Sequence, residues 1–162
     1  MIEYPKYKRV LFCTDFSENA DYAFEFACGI AKRDEGLLYV LHVIPHNPNQ
    51  DFADGLVKKE VLEKIQKAIE KDVFKKYQEH YVQRIENGVE FEIVTKYGRE
   101  DDEIVKFAKQ EKVDIIVMGS HGITGIARVY FGSVAEKVIR QCPFPVFTIP
   151  CKKKLEFAHS RL

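Results

Sequence analysis

Short apolar runs alternate along this chain with longer segments of helical periodicity, and that order limits the possible folds more than any other feature. Four of the runs are continuous and rich in β-branched residues, at 10–13, 37–44, 113–118 and 145–149. Continuous runs of this kind are typical of strands that helices cover on both faces. The run at 89–95 instead alternates apolar with polar residues, which predicts a half-exposed strand.

Helical patterns fill the intervals between these runs. Ser17 can cap a first helix, in which apolar residues recur at spacings of three and four from Ala20 to Ala31. A loop is predicted at 45–55. Residues 56–85 contain no Gly or Pro and predict a long helix. The apolar stripe along this helix consists of Val61, Ile65, Ala68, Ile69, Val73, Tyr77, Tyr81 and Ile85.

Two shorter helices complete the pattern. One is predicted at 103–110, and the other follows Ser133, which has with Glu136 the spacing of a capping box. The resulting order β-α-β-α-β-α-β-α-β predicts a Rossmann-like α/β fold of three layers, in which a five-stranded, mostly parallel sheet lies between helices on both faces. The length of 162 residues corresponds to a single domain, with a core at about 8–150.

Composition argues against several functional classes. Lys plus Arg and Asp plus Glu both number 25, a balance that argues against the basic surface of a nucleic-acid-binding protein. The apolar run at 37–44 is far shorter than the roughly 20 residues that span a bilayer. The four cysteines form no C-x-x-C pair, and no secretory signal is recognisable, so we expect a cytoplasmic protein with reduced thiols and no membrane segment.

A glycine-rich segment follows the fourth apolar run and precedes the last helix. Four of the nine glycines lie in it, namely Gly119, Gly122, Gly125 and Gly132. In an open parallel sheet, ligands bind at the carboxyl ends of the strands, and a helix N-terminus offers unpaired amides and a positive dipole end to an anion. Because glycine lets backbone amides approach an anion closely, this segment predicts a phosphate site.

Neither of the standard nucleotide-binding motifs occurs in this segment. No lysine follows Gly132, as a Walker loop requires, and the dinucleotide fingerprint G-x-G-x-x-G is absent. A helix-capping loop, with glycines for turn geometry, is the alternative interpretation. We favour the anion site, because loops of about 12 residues without a function are uncommon in compact domains.

The spacing of these glycines resembles that of the ATP-binding branch of the universal stress protein family. That branch carries Gly, two residues, Gly, nine residues, Gly and then Ser or Thr. The matching residues are Gly119, Gly122, Gly132 and Ser133. The first strand with Asp15, the end of the second run at 41–44 and the closing residues 142–146 are similar too. The resemblance covers residues from about 8 to 150 and implies an adenine nucleotide alpha hydrolase-like fold.

The resemblance implies a binding site for ATP, with ADP and AMP as alternative ligands. Asp15 would accept hydrogen bonds from the ribose hydroxyls, and the main chain of Val43 would contact adenine. The glycine segment and the start of the last helix would bind the phosphates, and Mg²⁺ would be held through the phosphates rather than by the protein alone. The implied nucleotide-binding residues are Cys13, Asp15, Val43, Met118, Gly119, His121, Gly122, Gly132, Ser133 and Val134. Cys13 stands where ATP-binding members commonly carry Pro.

Several of these residues have a second interpretation that the sequence leaves open. Asp15 could instead interact with the N-terminus of the first helix, and Val43 could be an ordinary core residue. His121 could donate to a phosphate or be a surface residue. Arg128, the guanidinium of the glycine segment, could clamp a terminal phosphate or stay solvated. For Ser133, a capping role and a phosphate role are compatible.

No catalytic set is apparent in the sequence. Asp15 is the only obvious acid near the predicted pocket, His42 is expected to pack within its strand, and His80 has no suggestive partner. A fast ATPase or phosphotransferase needs residues that orient the nucleophile and hold Mg²⁺. We therefore predict an ATP-binding protein that acts as a nucleotide-dependent stress-response switch or interaction module. The alternatives are a slow ATP hydrolase or phosphotransferase, and an interaction module that binds no nucleotide.

The last apolar run also predicts a homodimer. Residues 145–150 end the sheet order, carry no charge and are expected at a sheet edge, which needs a cover. Antiparallel pairing with the same strand of a second copy gives a closed two-fold assembly, which the family resemblance implies as well. The alternative is that the tail after Cys151, with Leu155 and Phe157, folds over the edge rather than staying solvated.

Overall fold

The computed structural model describes residues 1–45, 59–121 and 131–151, and its elements follow the predicted order. The strands are β1 (Arg9–Thr14), β2 (Leu37–Pro45), β3 (Phe91–Gly98), β4 (Ile115–Gly119) and β5 (Val146–Ile149). The helices are α1 (Glu18–Asp34), α2 (Lys59–His80), α3 (Glu100–Glu111) and α4 (Ser133–Gln141), and a 3-10 turn at Val82–Arg84 follows α2. The predicted loop at 45–55, apart from Pro45, and the tail after Cys151 lie outside the described residues.

The five strands form one parallel sheet in the order β3-β2-β1-β4-β5. β1 lies at its centre, where Val10 pairs with Leu38 of β2 on one side and with Ile115 of β4 on the other. Parallel neighbours need a crossover connection, and the helices of the alternating sequence supply it. The predicted α/β fold is confirmed.

Successive residues of the inner strands point to opposite faces of the sheet, and each face has its own core. Val10 and Phe12 of β1 pack with α1 and α2, whereas Leu11 and Cys13 pack with α3 and α4. None of these four side chains is more than 6% exposed. Because both faces are covered, an inner strand must be apolar at nearly every position, and it therefore forms a continuous apolar run in the sequence.

β5 differs from the inner strands, and the prediction that helices cover it on both faces is wrong. It is an edge strand, as its place in the sequence predicts, and within the described residues it pairs only with β4. Ile149 is buried, but Phe147 is 41% exposed even though its ring lies 5.9 Å from that of Phe26 in α1. A strand at the margin of the sheet has too little structure beside it for both faces to be covered.

The apolar stripe of α2 is buried only in its second half, although it is continuous in the sequence. Val73, Tyr77 and, just beyond the helix, Tyr81 lie in the core, whereas Val61 and Ile65 are 44% and 47% exposed. A helix of 22 residues is about 33 Å long, and β1, with six residues, spans about 20 Å, so the sheet cannot cover the whole stripe. No helix in the described part of the chain is long and apolar enough to cross a membrane.

Two predicted helix starts have different outcomes. Ser17 caps α1 as predicted, because its Oγ accepts a hydrogen bond of 3.2 Å from the amide of Ala20. The predicted capping box of α4 is wrong: Gly132 is the N-cap residue, Ser133 is already helical, and no side chain within the described residues caps this helix. The Gly132 amide donates to the Ser120 carbonyl at 2.7 Å, and this bond holds Gly132 outside the helix.

The cysteines are free thiols, as expected from the absence of a C-x-x-C pair. They are Cys13, Cys28, Cys142 and Cys151. Burial raises the pKa of the Cys13 thiol, and it raises that of Cys28 to about 11. Both thiols are therefore protonated at neutral pH and act as small apolar packing groups.

Two glycines, one inside α1 and one just after it, test how tightly this helix end packs against the chain. Gly36 follows the helix, and a Cβ there would lie 2.5 Å from the Tyr7 carbonyl oxygen and 3.0 Å from that of Lys8, both of which are backbone atoms. We expect Gly36→Ala to lower the free energy of unfolding by about 1–3 kcal/mol.

Gly29 provides the matched control for this substitution. It is exposed inside α1, and a Cβ there would meet nothing within 4 Å. Because alanine is the better helix former, Gly29→Ala should raise the free energy of unfolding by about 0.5–1 kcal/mol. Urea denaturation measures both variants, and a Gly36→Ala protein as stable as the wild type would contradict the packing described here.

Candidate functional site

A cavity of about 430 Å³ opens at the carboxyl ends of β1, β2 and β4. The first residues of α3 and α4 border it, on the face of the sheet that those two helices cover. A volume of this size is typical of small-molecule sites. The position is also the one at which open parallel sheets bind their ligands, so this cavity is the candidate functional site.

The predicted site residues meet at this cavity. All of those that the structure describes line it, namely Cys13, Asp15, Val43, Met118, Gly119, His121, Gly132, Ser133 and Val134. Gly122, which was predicted with them, and Arg128 lie outside the described residues. Residues from three strands and one helix thus come together as the sequence predicts, while their part in nucleotide binding stays a prediction.

The floor of the cavity is apolar and continues the core between the sheet and the helices α3 and α4. The lining residues that belong to this core are Cys13, Leu41, Val43, Ile104, Met118 and Ala135. Apart from Leu41, which lies midway along β2, each comes from the carboxyl end of a strand or from the first turns of a helix. Such a surface suits a flat aromatic ring, and the polar groups around it can fix the orientation of a ligand.

Sequence reasoning missed several residues that line the cavity. They are Ala20, Leu41, His42, Pro45, Glu100, Ile104, Ser120 and Ala135. Two of them correct a specific expectation. His42 lines the cavity rather than merely packing within its strand. Glu100 is a second acid at the cavity, whereas the sequence indicated Asp15 as the only obvious one. The signal that could have found them is position, since His42 lies in the carboxyl half of its strand and Glu100 begins a helix at the same edge of the sheet.

His42 is a neutral wall residue. Its Nδ1 lies 2.8 Å from the Thr14 carbonyl oxygen, which can only accept, so Nδ1 carries the proton. Burial lowers the pKa of His42, although the hydrogen bond to Thr14 and the charge of Asp15 act in the opposite direction. The ring is therefore uncharged at neutral pH.

The turn between β1 and α1 positions Asp15. The Phe16 amide donates to Thr14 Oγ1 at 2.8 Å, and the Ser17 amide donates to Asp15 Oδ1 at 3.0 Å. Phe16 adopts a φ of 60°, which is unusual for a residue with a side chain. Asp15 thus contacts the start of α1, as its alternative interpretation predicts, and lines the cavity at the same time.

Aromatic packing holds this turn in place. The Phe16 ring lies 4.6 Å from that of His42 and 5.2 Å from that of Tyr77. It also lies 5.7 Å from the ring of His80, whose Nδ1 is 2.9 Å from Asp21 Oδ1 in α1. The expectation that His80 lacks a partner is wrong, because residues far apart in the sequence meet when α2 packs against α1.

Gly119 allows β4 and α1 to approach each other closely. A Cβ at this position would lie 2.6 Å from Asn19 Nδ2 and 3.2 Å from the His121 carbonyl oxygen. These two groups form a hydrogen bond of 2.9 Å, in which Asn19 donates. A side chain at this position would therefore displace Asn19 from the contact that holds the beginning of the glycine segment against α1.

Ser120 connects both ends of the glycine segment to the sheet. Its amide donates to the Ile149 carbonyl at 2.8 Å, and its own carbonyl accepts from the Gly132 amide at 2.7 Å. Its Oγ lies 2.8 Å from His121 Nδ1. The residues on either side of the undescribed part, 122–130, are thus fixed next to the cavity.

The two helix N-termini at the cavity have opposite electrostatic character. The first turn of α3 consists of four acids, Glu100, Asp101, Asp102 and Glu103, and Glu100 lines the cavity. The only acid in the first turn of α4 is Glu136, which does not line the cavity and pairs with Arg140 at 2.8 Å. A helix N-terminus favours negative charge, so the start of α4 can accept an anion from a ligand. The start of α3 already carries the negative charge of its own four acids.

A protein-bound metal is not indicated in the described residues. No group of three or more His, Cys, Asp or Glu side chains that could hold a metal ion occurs among them. The two carboxylates of the cavity, Asp15 and Glu100, belong to no such group.

Comparison with known proteins gives close relatives of the whole fold. The universal stress protein MJ0531 of Methanocaldococcus jannaschii is 34% identical over 152 residues, which cover 91% of this chain and 85% of that protein. The structure of MJ0577 from the same organism superposes with a TM-score of 0.73 at 30% identity and covers 91% of this chain and 99% of that one.

A further solved structure was determined with a ligand. It is the universal stress protein of Archaeoglobus fulgidus in complex with dAMP, which superposes with a TM-score of 0.54 at 25% identity and covers 90% of this chain and 99% of that one. The profile of the universal stress protein family matches residues 6–150. The resemblance carried by the glycine spacing is thus confirmed over nearly the full length, and the chain belongs to the universal stress protein family.

Proposed function

We propose that this protein binds an adenine nucleotide, ATP above all, in the cavity at the carboxyl edge of the sheet. We further propose that it acts as a nucleotide-dependent switch or interaction module in a stress response. The observation that carries the proposal is the layout of the cavity, which combines an apolar floor, the carboxylate of Asp15 and a helix N-terminus suited to an anion. Base, ribose and phosphates each have a chemically matching surface.

The start of α4 is the proposed phosphate site. Ser133 and Val134 line the cavity there, and the first amides of a helix have no partner within the helix. The Gly132 amide is already bonded to the Ser120 carbonyl, so we assign the phosphate contacts to the two amides that follow it. Gly132 contributes by allowing the close approach of a phosphate.

Asp15 and the end of β2 are the proposed sites for ribose and base. An ionised carboxylate accepts two hydrogen bonds readily, which matches a pair of ribose hydroxyls. β1 pairs with β2 only as far as His42, so the main chain of Val43 extends past the end of β1 and can reach the edge of a purine. The apolar side chains of Leu41 and Ile104 provide surface for the ring.

The relatives support an adenine nucleotide as the ligand class. The Archaeoglobus fulgidus protein was solved with dAMP, and it shares the fold of this chain over nearly its whole length. We assign Mg²⁺ to the phosphates of the ligand, since the described residues offer no cluster of metal ligands. The proposal involves no catalytic residue.

Nucleotide binding can be tested directly on the purified protein. We expect calorimetry to show one ATP bound per chain, and mass spectrometry of freshly purified, denatured protein to show ATP, ADP or AMP. Gly119→Ala serves as a variant in which the start of the glycine segment is displaced, because its Cβ disrupts the contact between Asn19 and His121. It should bind ATP more weakly with an unchanged circular dichroism spectrum. If no adenine nucleotide binds to the wild type, the proposal is wrong.

The role of Asp15 can be separated from a structural role. Asp15→Asn keeps an oxygen that accepts from the Ser17 amide but removes the charge. It should weaken ATP binding by about 1–2 kcal/mol, the usual difference between charged and neutral hydrogen bonds. It should weaken binding of 2′,3′-dideoxy-ATP much less, because that ligand lacks both hydroxyls.

Glu18→Gln is the control for this measurement. Glu18 is an exposed acid in the first turn of α1 and does not line the cavity, so both nucleotides should bind to this variant as they bind to the wild type. Equal losses of ATP and dideoxy-ATP binding in Asp15→Asn would show that Asp15 acts through the turn rather than through the ribose.

We also propose that the protein is a homodimer in which β5 pairs with β5 of a second copy. β5 lies at the edge of the sheet, and within the described residues only β4 pairs with it. The exposed Phe147 gives this edge an apolar side chain, and an apolar open edge is prone to pair with another strand. Antiparallel pairing of the two β5 strands about a two-fold axis gives each edge a hydrogen-bonded neighbour, and the assembly ends at two copies.

Sedimentation velocity tests this interface. The wild type should sediment as a dimer of 18.8 kDa chains, and Phe147→Lys should shift it toward the monomer, because a charge would be buried at the interface. Phe74→Lys is the matched control, since Phe74 is 60% exposed on α2. A monomeric wild type, or equal behaviour of the two variants, would rule out pairing through β5.

A further inference from the structure

Glu100 is the acid at the cavity that no contact within the described residues explains. Asp101, Asp102 and Glu103, which follow it in the first turn of α3, all have cationic partners. The partners are Arg99 for Asp101 and Asp102, and Lys106 for Glu103.

Glu100 itself is half-buried and lines the cavity. Within the described residues it makes neither a hydrogen bond nor an ion pair, although its charge acts on the nearby His42. A half-buried carboxylate beside an apolar floor leaves acceptor capacity that a ligand can use.

The sheet order places Glu100 at the end of the cavity away from the proposed phosphate site. α3 follows β3, whereas α4 follows β4, and the order β3-β2-β1-β4 sets these strands three positions apart. At the usual strand spacing of about 4.8 Å this corresponds to about 14 Å. A nucleotide with its phosphates at the start of α4 and its ribose over Asp15 therefore directs its base toward β2 and Glu100.

We infer that Glu100 determines base specificity, by selecting purine nucleotides with a 6-amino group over those with a 6-oxo group. This inference rests on the proposed function. An ionised carboxylate only accepts hydrogen bonds, so it pairs with the N–H groups of a 6-amino purine. At position 6 a 6-oxo purine instead carries a carbonyl oxygen, which is a second acceptor. Its nearest donor, N1–H, lies one ring position away, so the same pose leaves the carboxylate without a donor.

A stabilising effect on α3 is the competing explanation for Glu100. An acid in the first turn of a helix interacts favourably with the helix dipole wherever its side chain points. Glu103 separates the two explanations, because it is a glutamate in the same turn that does not line the cavity. Glu103→Gln removes the same charge from the same helix end as Glu100→Gln.

The experiment compares the affinities for ATP and ITP, which carry a 6-amino and a 6-oxo group respectively. The wild type should prefer ATP by at least about tenfold, in line with the loss of a charge-assisted hydrogen bond. In Glu100→Gln this ratio should fall about tenfold, because the amide can donate to the 6-oxo group. In Glu103→Gln the ratio should equal that of the wild type.

The possible outcomes separate this inference from the proposed function. A wild type that binds ATP and ITP equally, or a Glu100→Gln protein with the wild-type ratio, overturns the role of Glu100 and leaves nucleotide binding intact. If the ratio falls in both variants, the preference for ATP comes from the charge at the start of α3, and this result also overturns the role of Glu100. A wild type that binds neither nucleotide overturns the proposed function, and this inference with it. Thermal unfolding of each variant checks that it is folded.

Discussion

The burial of β1 on both faces is the constraint on which the rest of the structure depends. Val10 and Phe12 face one helical layer, and Leu11 and Cys13 face the other. Full burial of a large apolar side chain contributes about 1.5–3 kcal/mol, so this strand stabilises both cores at once. Because β1 is central and parallel to its neighbours, its carboxyl end also forms the middle of the cavity, with Asp15 directly beyond it.

The second half of α2 connects the packing of the helices to the site. The Tyr77 hydroxyl accepts from the His42 amide at 2.9 Å and donates to the Val94 carbonyl at 2.6 Å. Burial raises the pKa of Tyr77 to about 12, so the hydroxyl keeps the proton that it donates. Tyr81 shares a hydrogen bond with Thr14 Oγ1, next to Asp15. Two tyrosines of the core thus connect β1, β2 and β3 beside the cavity.

The ends of two helices contribute to the polarity of the cavity, together with Asp15. α4 begins with Ser133 and Val134, which line the cavity, and its first turn places no acid there, whereas α3 begins with Glu100. An anion is therefore favoured at one end and a hydrogen-bond donor at the other. This arrangement follows from the parallel sheet, because all crossover helices begin at the edge where the strands end.

The sequence by itself determined the class of the fold, the order of its elements and most of the candidate site. Those properties follow from local patterns: continuous apolar runs, helical spacing, and a glycine segment whose place after β4 puts Gly119 and Ser133 at the ligand-binding edge. Only the tertiary structure decided that the stripe of α2 is buried in its second half, that His80 meets Asp21, and that Glu100 shares a cavity with Asp15. Each of these depends on which distant segments pack together and how far the sheet extends, and periodicity within one segment carries no information about its neighbours.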